Sequence, residues 1–270
     1  SGFSNMGFPL PARGPIAGGP GLFLPGGLPF GASIMTRFVC IGDVDADGTR
    51  DIAALGNDAA LFSPRLEVFS GATGNSLALW TTTGIQMEAA GDMNADGHLD
   101  LLIGSWNPAV IEVVSGFDGT VIQTLSVTNF TGFAGGEDVD GDGTPDIIVG
   151  DVWDSSVVPF GGHVTVYSGA TLAVIHHIDG NRCEGIGMSV SLGDVNGDGR
   201  ADMAYTGQND LGLPNDGYIR SGVTGEIICT TVGVIPDTSF MKIVSDLDND
   251  GYRDTLFGGW EWNATTSWTN

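Results

Sequence analysis

The sequence predicts an all-β protein, namely a β-propeller of four-stranded antiparallel blades. The first observation is an acidic nine-residue pattern, Asp-x-Asp/Asn-x-Asp-Gly-x-x-Asp, that occurs five times. Its copies begin 49, 46, 56 and 52 residues apart, which is close to the length of one four-stranded blade. The second observation is that apolar runs too short for a helix lie on both sides of each copy. Five copies predict five blades, with acidic loops that begin at Asp43, Asp92, Asp138, Asp194 and Asp246.

Each repeat unit is predicted to contain the same strands in the same order. An apolar strand leads into the acidic loop and a second one leaves it, as 38–41 and 52–55 do in the first unit. After a variable loop, a third strand of alternating polarity ends in a Ser-Gly turn, and a fourth strand follows. The turns begin at Ser70, Ser115, Ser168 and Ser221. Consecutive strands joined in this way form one antiparallel blade.

The acidic loops are predicted to bind calcium, up to five ions in all. Positions 1, 3, 5 and 9 carry Asp or Asn, position 6 is Gly in every copy, and the carbonyl of position 7 adds a backbone oxygen. Ca²⁺ takes six to eight oxygens at flexible geometry, whereas Mg²⁺ prefers to keep its water. An EF-hand does not fit, because the last acid stands at position 9 instead of 12 and a β-type run follows. The predicted ligands, position 7 included, are Asp43, Asp45, Asp47, Thr49, Asp51, Asp92, Asn94, Asp96, His98, Asp100, Asp138, Asp140, Asp142, Thr144, Asp146, Asp194, Asn196, Asp198, Arg200, Asp202, Asp246, Asp248, Asp250, Tyr252 and Asp254.

The composition agrees with acidic metal sites. The chain has 270 residues, 33 acidic and 9 basic, and a formal charge of −24, and 18 of the acids occupy loop positions 1, 3, 5 and 9. Five bound Ca²⁺ ions, with ten positive charges, would reduce the charge from −24 to −14. Nucleic acid and anionic membranes are therefore not expected as partners. Membrane insertion is not expected either, because no apolar run reaches the ~18 residues of a transmembrane helix.

These motifs resemble the FG-GAP repeats, also called VCBS repeats, of calcium-binding propellers such as that of the integrin α-subunit. The resemblance rests on the five acidic loops and the four Ser-Gly turns, and it covers roughly residues 38–257. It implies that each acidic loop is the hairpin between the first and second strands of a blade, on the lower face of the disc. It also implies an extracellular adhesion or binding module. The chain differs in having five motifs where integrin-like propellers have seven blades.

The two ends of the chain depart from the repeat. We expect residues 1–37 to form a Gly/Pro-rich segment and residues 38–270 to form the propeller. After Asp246 only 24 residues remain, too few for a Ser-Gly turn and an outer strand. Residues 1–31 hold nine Gly and six Pro, which disfavours a helix or a central strand. Three interpretations stay open: a processed leader, an outer strand donated to the last blade of the same chain, or one donated to a neighbouring subunit.

The cysteines and sequons give further expectations. Cys40 lies in an apolar strand and is expected to be a buried small residue. Cys183 and Cys229 fall in adjacent units, so a disulfide between them is plausible in an extracellular protein. The sequons at Asn129 and Asn263 would permit glycosylation in a competent host.

The face opposite the acidic loops is a candidate ligand-binding surface. Loops that follow the second strands carry Trp106, Trp153 and Trp260 at equivalent places around the ring. These side chains are either aromatic platforms for a ligand or space fillers between blades.

Two functions remain open from the sequence, and neither is an enzyme. One is a structural or adhesive subunit of a secreted or cell-surface assembly, filamentous through self-association. The other is a module that binds an extracellular protein or glycan. No HExxH, nucleophile elbow or phosphate loop occurs in the sequence. A Ca²⁺-assisted polysaccharide lyase or hydrolase is therefore the least favoured alternative.

Overall fold

The computed structural model describes residues 37–57, 64–208, 215–235 and 240–258, and all regular structure in these ranges is β. Eighteen strands form four four-stranded sheets and one two-stranded sheet. The strands are β1 (Arg37–Gly42), β2 (Asp51–Asn57), β3 (Pro64–Phe69), β4 (Ser76–Thr81), β5 (Gln86–Gly91), β6 (Asp100–Trp106), β7 (Ala109–Val114), β8 (Val121–Ser126), β9 (Gly132–Glu137), β10 (Asp146–Asp151), β11 (His163–Tyr167), β12 (Val174–Asp179), β13 (Ile186–Gly193), β14 (Asp202–Gly207), β15 (Asn215–Arg220), β16 (Ile227–Ile235), β17 (Phe240–Ile243) and β18 (Thr255–Gly258).

Each complete sheet is an antiparallel meander in chain order, as β1-β2-β3-β4 is in the first unit. The acidic loop joins the first strand to the second, and the Ser-Gly turn joins the third to the fourth. Both connections therefore lie at the same end of the sheet. The predicted blade architecture is confirmed for four units.

Burial explains why the strands differ in their sequence patterns. The second strands β10 and β14 are buried at every position, because neighbouring sheets pack on both of their faces. Such strands read as continuous apolar runs, for example Ile147–Val149. The outer strand β4 instead has no fully buried residue and alternates between exposed and half-buried positions.

The sheets follow one another around a common axis. The first strand of each unit lies beside the first strand of the next, from β1 through β5, β9 and β13 to β17. Hydrophobic clusters fill the space between successive sheets. These first strands line a cavity of about 220 Å³. The fold is thus a β-propeller with the first strands at its centre.

The fifth unit contributes two strands, β17 and β18, to the part of the chain that the structure describes. Met241 and Ile243 pack against the fourth sheet. Phe240 and Leu256 are 56% and 45% exposed. The predicted Gly/Pro-rich segment, Trp260 and the sequon at Asn263 lie outside the described residues.

Two expectations about the cysteines are wrong. Cys40 is exposed, because β1 directs Val39 and Ile41 towards the second sheet and Cys40 to the other face. Cys183 and Cys229 are free thiols and form no disulfide. Cys183 lies in the link after β12, where its N–H donates to the Pro159 carbonyl, whereas Cys229 lies in the outer strand β16 opposite Ile219. Adjacent units therefore do not bring these two thiols together.

Candidate metal centres

The acidic loops share one backbone conformation that depends on glycine at position 6. All five glycines there have φ between +86° and +95°, and a Cβ would meet no atom within 4 Å at any of them. Glycine is therefore required by backbone conformation and not by space. Position 4 is also left-handed, with φ of 61° at Ala46, 59° at Ala95 and 62° at Asn249. Left-handed alanine is unfavourable, so two loops hold local strain beside their carboxylates.

This conformation directs backbone N–H groups at the carboxylates in the same way in every loop. In the first loop, Gly48 N–H donates to Asp43 Oδ2 at 2.8 Å and Thr49 N–H donates to Asp47 Oδ1 at 2.8 Å. The Asp47 N–H donates to both Asp43 and Asp45, at 3.0 and 3.1 Å. These bonds hold the side chains of positions 1, 3 and 5 inside the turn. The five copies of the sequence pattern thus fold into five nearly identical acidic loops, called acidic cradles below.

The aspartate at position 9 has a second role, which the sequence analysis missed. In the first unit Asp51 accepts from Val44 N–H in its own loop at 2.7 Å and from Gly71 N–H in the Ser-Gly turn at 2.9 Å. Asp100, Asp146 and Asp202 each accept the equivalent two bonds. All four carboxylates are fully buried. Position 9 therefore ties the acidic loop to the Ser-Gly turn of the same blade.

Burial also changes the proton affinity of these aspartates. Burial raises the pKa of Asp100, Asp146 and Asp202, and their N–H donors oppose that rise. The neighbouring carboxylates Asp96 and Asp92 raise the pKa of Asp100 further. A bound divalent cation would offset both causes, because it stabilises the charged form.

The donor set fits a hard divalent cation. Oxygens of Asp43, Asp45 and Asp51 lie within 4.8 Å of one another. An equivalent triad forms in the third loop from Asp138, Asp140 and Asp146, whereas the triad of the fifth loop uses positions 1, 3 and 5, namely Asp246, Asp248 and Asp250. The second and fourth loops carry an amide, Asn94 or Asn196, at position 3. Oxygen-only donors at this separation are those that Ca²⁺ prefers.

At position 7 the predicted ligand is the backbone carbonyl. The side chains at this position make other contacts. The Arg200 guanidinium lies over Gly141 in the preceding loop, where a Cβ would come within 1.1 Å of Nη1. The Tyr252 ring lies over Gly197 in the same relation, 3.1 Å from the equivalent Cβ. His98 instead stacks on Phe117 of its own Ser-Gly turn, with ring centroids 4.7 Å apart. In these three loops the position 7 side chain therefore contacts either the preceding loop or the nearby Ser-Gly turn.

The opposite end of the sheets exposes two of the predicted tryptophans. Trp106 and Trp153 are 56% and 58% exposed, so neither fills a gap between blades. The Phe130 ring contacts the Trp106 ring at a centroid distance of 6.4 Å. The preceding residue, Asn129, donates to Asp151 at 3.3 Å, and Asp151 accepts the Trp153 N–H at 3.0 Å.

Comparison with known proteins supports the repeat assignment. Residues 138–205 match the family described as FG-GAP-like repeat, so the resemblance to FG-GAP repeats is confirmed for this stretch. It runs from the third acidic loop into β14. No curated protein matches the sequence significantly.

Solved β-propellers resemble the chain in fold alone. One is BBS1N in complex with ARL6DN, at 12% identity and a TM-score of 0.43, covering 71% of this chain and 52% of that chain. Another is the Dos1 propeller, at 9% identity and a TM-score of 0.43, covering 70% of this chain and 46% of that chain. The chain therefore spans about half the length of these propeller chains. The sheet topology and the FG-GAP-like repeat at residues 138–205 together define the chain as a β-propeller that contains this repeat.

Proposed function

We propose that this chain is a calcium-stabilised propeller that serves as a structural or adhesive module outside the cell. The observation that carries the proposal is the set of acidic cradles, each with oxygen donors fixed by backbone N–H groups. Calcium would be held by the carboxylates and the position 7 carbonyl of each loop. It would supply charge neutralisation for the hairpin between the first two strands of a blade.

The free energy that calcium binding would add to folding is large enough for a structural role. Extracellular sites typically bind with Kd of about 10⁻⁴–10⁻³ M. At about 1 mM free Ca²⁺, mass action then gives each site roughly 0.4–1.4 kcal/mol. Five sites sum to about 2–7 kcal/mol, against the ~5–15 kcal/mol that stabilises a typical domain. This Kd range is the one typical of extracellular sites, so a measured Kd within it would support a secreted or cell-surface location.

Thermal unfolding tests this proposal. The melting temperature in about 1 mM Ca²⁺ should exceed that in EDTA by roughly 4–28 °C, from the energies above and ~2–4 °C per kcal/mol. The same concentration of Mg²⁺ is the control and should restore little of the difference. Equal melting temperatures in Ca²⁺ and EDTA would reject calcium stabilisation.

Self-association through the N-terminal segment is the proposed route to an assembly. The fifth sheet has two strands in the described residues, while the other four have four. A sheet edge that no strand of the described residues covers is a template for an added strand, and Pro or Gly is tolerated in an edge strand. Residues 1–31 would complete the sheet, either within one chain or in a neighbouring subunit.

A glycan- or protein-binding face is the second candidate function. It is favoured by the exposure of Trp106 and Trp153 on adjacent loops. Because both rings are more than half exposed, replacing either by Ala should change the melting temperature little. Loss of glycan-array binding with unchanged melting would support this function. A large fall in melting temperature would mean that the rings are needed for packing.

We propose no catalytic role for the chain. Most of its carboxylates belong to the acidic loops, where calcium would occupy them. Of the histidines, His98 stacks on a turn and His163 contacts Asp154 at 3.3 Å. Activity on acidic polysaccharides in the presence of Ca²⁺ would contradict this proposal.

A further inference from the structure

Two of the acidic loops are covered by a side chain from the acidic loop that follows. The Arg200 guanidinium, at position 7 of the fourth loop, lies over Gly141 at position 4 of the third loop, so a Cβ at Gly141 would overlap it. The Tyr252 ring, at position 7 of the fifth loop, lies over Gly197 of the fourth loop in the same relation. The position 7 side chain of one blade therefore reaches the acidic loop of the preceding blade.

The residue type at position 4 agrees with this cover. Position 4 is left-handed in all five loops, at Ala46, Ala95, Gly141, Gly197 and Asn249. Alanine is accepted in the first two loops, so the backbone conformation alone does not require glycine there. The loop after Ala46 carries His98, which stacks on Phe117 instead, and the loop after Ala95 carries the short Thr144. Glycine thus occurs at position 4 where a long side chain of the next loop needs the space.

Arg200 brings a positive charge to a loop that has four carboxylates. Its Nη1 is buried and has no hydrogen-bond partner, and Arg200 forms no ion pair with any of the described residues. Gly141 beneath it stands between Asp140 and Asp142 in the sequence and donates its N–H to Asp138. The guanidinium is therefore not committed to one carboxylate, and its charge acts on the third loop as a whole.

We propose that Arg200 is a built-in counter-ion of the third acidic loop, which stabilises this loop without metal and weakens its affinity for calcium. Without a metal ion the carboxylates of the loop repel one another, and a nearby positive charge reduces that repulsion. When a divalent cation is bound, the same positive charge opposes it. The Tyr252 ring that covers the fourth loop is neutral and has neither effect. The part of this role that concerns calcium rests on the proposed calcium binding.

Arg200→Gln in the full chain separates an electrostatic role from packing. In EDTA at low ionic strength the variant should melt about 1–4 °C below the parent chain, because the loop loses its counter-ion. The rise in melting temperature in about 10 mM Ca²⁺ should exceed that of the parent by about 1–5 °C, which corresponds to roughly 3–10-fold tighter binding at one site. Equal losses in EDTA and in Ca²⁺ would mean that Arg200 acts through packing alone. That result, or no change under either condition, would overturn the proposal.

Three further variants are matched to Arg200→Gln. Arg200→Lys keeps the charge and should melt like the parent chain in EDTA and in Ca²⁺. Gly141→Ala keeps the charge but takes the space of the guanidinium, so it should also enlarge the rise caused by Ca²⁺. Arg182→Gln removes the same charge from an exposed residue in the link after β12, at the opposite end of the sheets, and should leave that rise unchanged. A larger rise for Arg182→Gln, equal to that for Arg200→Gln, would assign the effect to net charge and contradict the proposal.

A double-mutant cycle identifies the third loop as the partner of Arg200. Asp138→Asn with Asp140→Asn removes two negative charges but keeps side-chain oxygens that can accept the N–H groups of the loop. In this background Arg200→Gln should lose most of its effect on melting in EDTA and in Ca²⁺. An undiminished effect would overturn the assignment.

The measurements in EDTA make this proposal testable apart from calcium binding. If Ca²⁺ did not stabilise the parent chain, the calcium proposal would fail, while Arg200→Gln should still lower the melting temperature in EDTA. That loss should shrink in about 1 M NaCl, because salt screens exposed charges. A loss in EDTA that high salt leaves unchanged would contradict the role of Arg200 as a counter-ion.

Discussion

Replacing Asp146 with Ala separates the two roles of the position 9 aspartate. The Asp146 carboxylate is fully buried and accepts from Val139 N–H at 2.6 Å and from Gly169 N–H at 2.9 Å. Asp146→Ala leaves both donors unpaired inside the blade. Each buried unpaired group costs about 1–3 kcal/mol, so the variant should lose roughly 2–6 kcal/mol of unfolding free energy even without metal. At ~2–4 °C per kcal/mol this is a fall of about 4–24 °C in melting temperature in EDTA.

Asp142→Ala in the same loop is the matched control. Asp142 is exposed, and the Thr144 N–H that it holds at 2.8 Å can bond to water instead. This variant should therefore melt like the parent chain in EDTA but lose part of the stabilisation that Ca²⁺ provides. Asp146→Ala should be destabilised under both conditions. If Asp146→Ala melts like the parent chain in EDTA, the link between acidic loop and Ser-Gly turn does not stabilise the blade.

The remaining predictions concern site affinity and the thiols. Loops two and four have three carboxylates instead of four, because Asn94 and Asn196 replace aspartate. Asn94→Asp should therefore strengthen calcium binding at that loop several-fold by calorimetry, since ligand charge sets affinity in such sites; weaker binding would contradict the assignment of position 3 as a ligand. Native thiol titration should count three free cysteines, with exposed Cys40 and Cys229 reacting before half-buried Cys183; a count of one would mean that a disulfide forms.

Local sequence rules were enough to predict the blade. Position 6 of each acidic loop has a left-handed backbone conformation, which glycine adopts most easily. The same glycine recurs in all five loops, with a short apolar run on either side of each loop. The short apolar runs around Asp146 or Asp202 could be read as buried strands because they are continuous and flanked by turns. Strand order then followed from short connections, which join neighbours.

Contacts between residues that are distant in sequence could not be predicted from the sequence. The hydrogen bond from Gly169 N–H to Asp146 joins groups that are far apart in sequence, and no local sequence pattern predicts it. Exposure of Cys40 depends on which face of β1 meets the second sheet, which alternation alone does not determine. The position of Arg200 over Gly141 likewise depends on how neighbouring blades approach each other.

Counting bound calcium is the most direct test of the central claim. Equilibrium dialysis of the folded chain against rising free Ca²⁺, up to about 10 mM, measures the stoichiometry without stripping ions from sites with a Kd of about 10⁻⁴–10⁻³ M. The account predicts up to five Ca²⁺ ions per chain, and one fewer for a variant that loses the ligands of a single loop, such as Asp138→Ala with Asp140→Ala. A folded chain that binds no calcium, or a count that the double variant leaves unchanged, would contradict it.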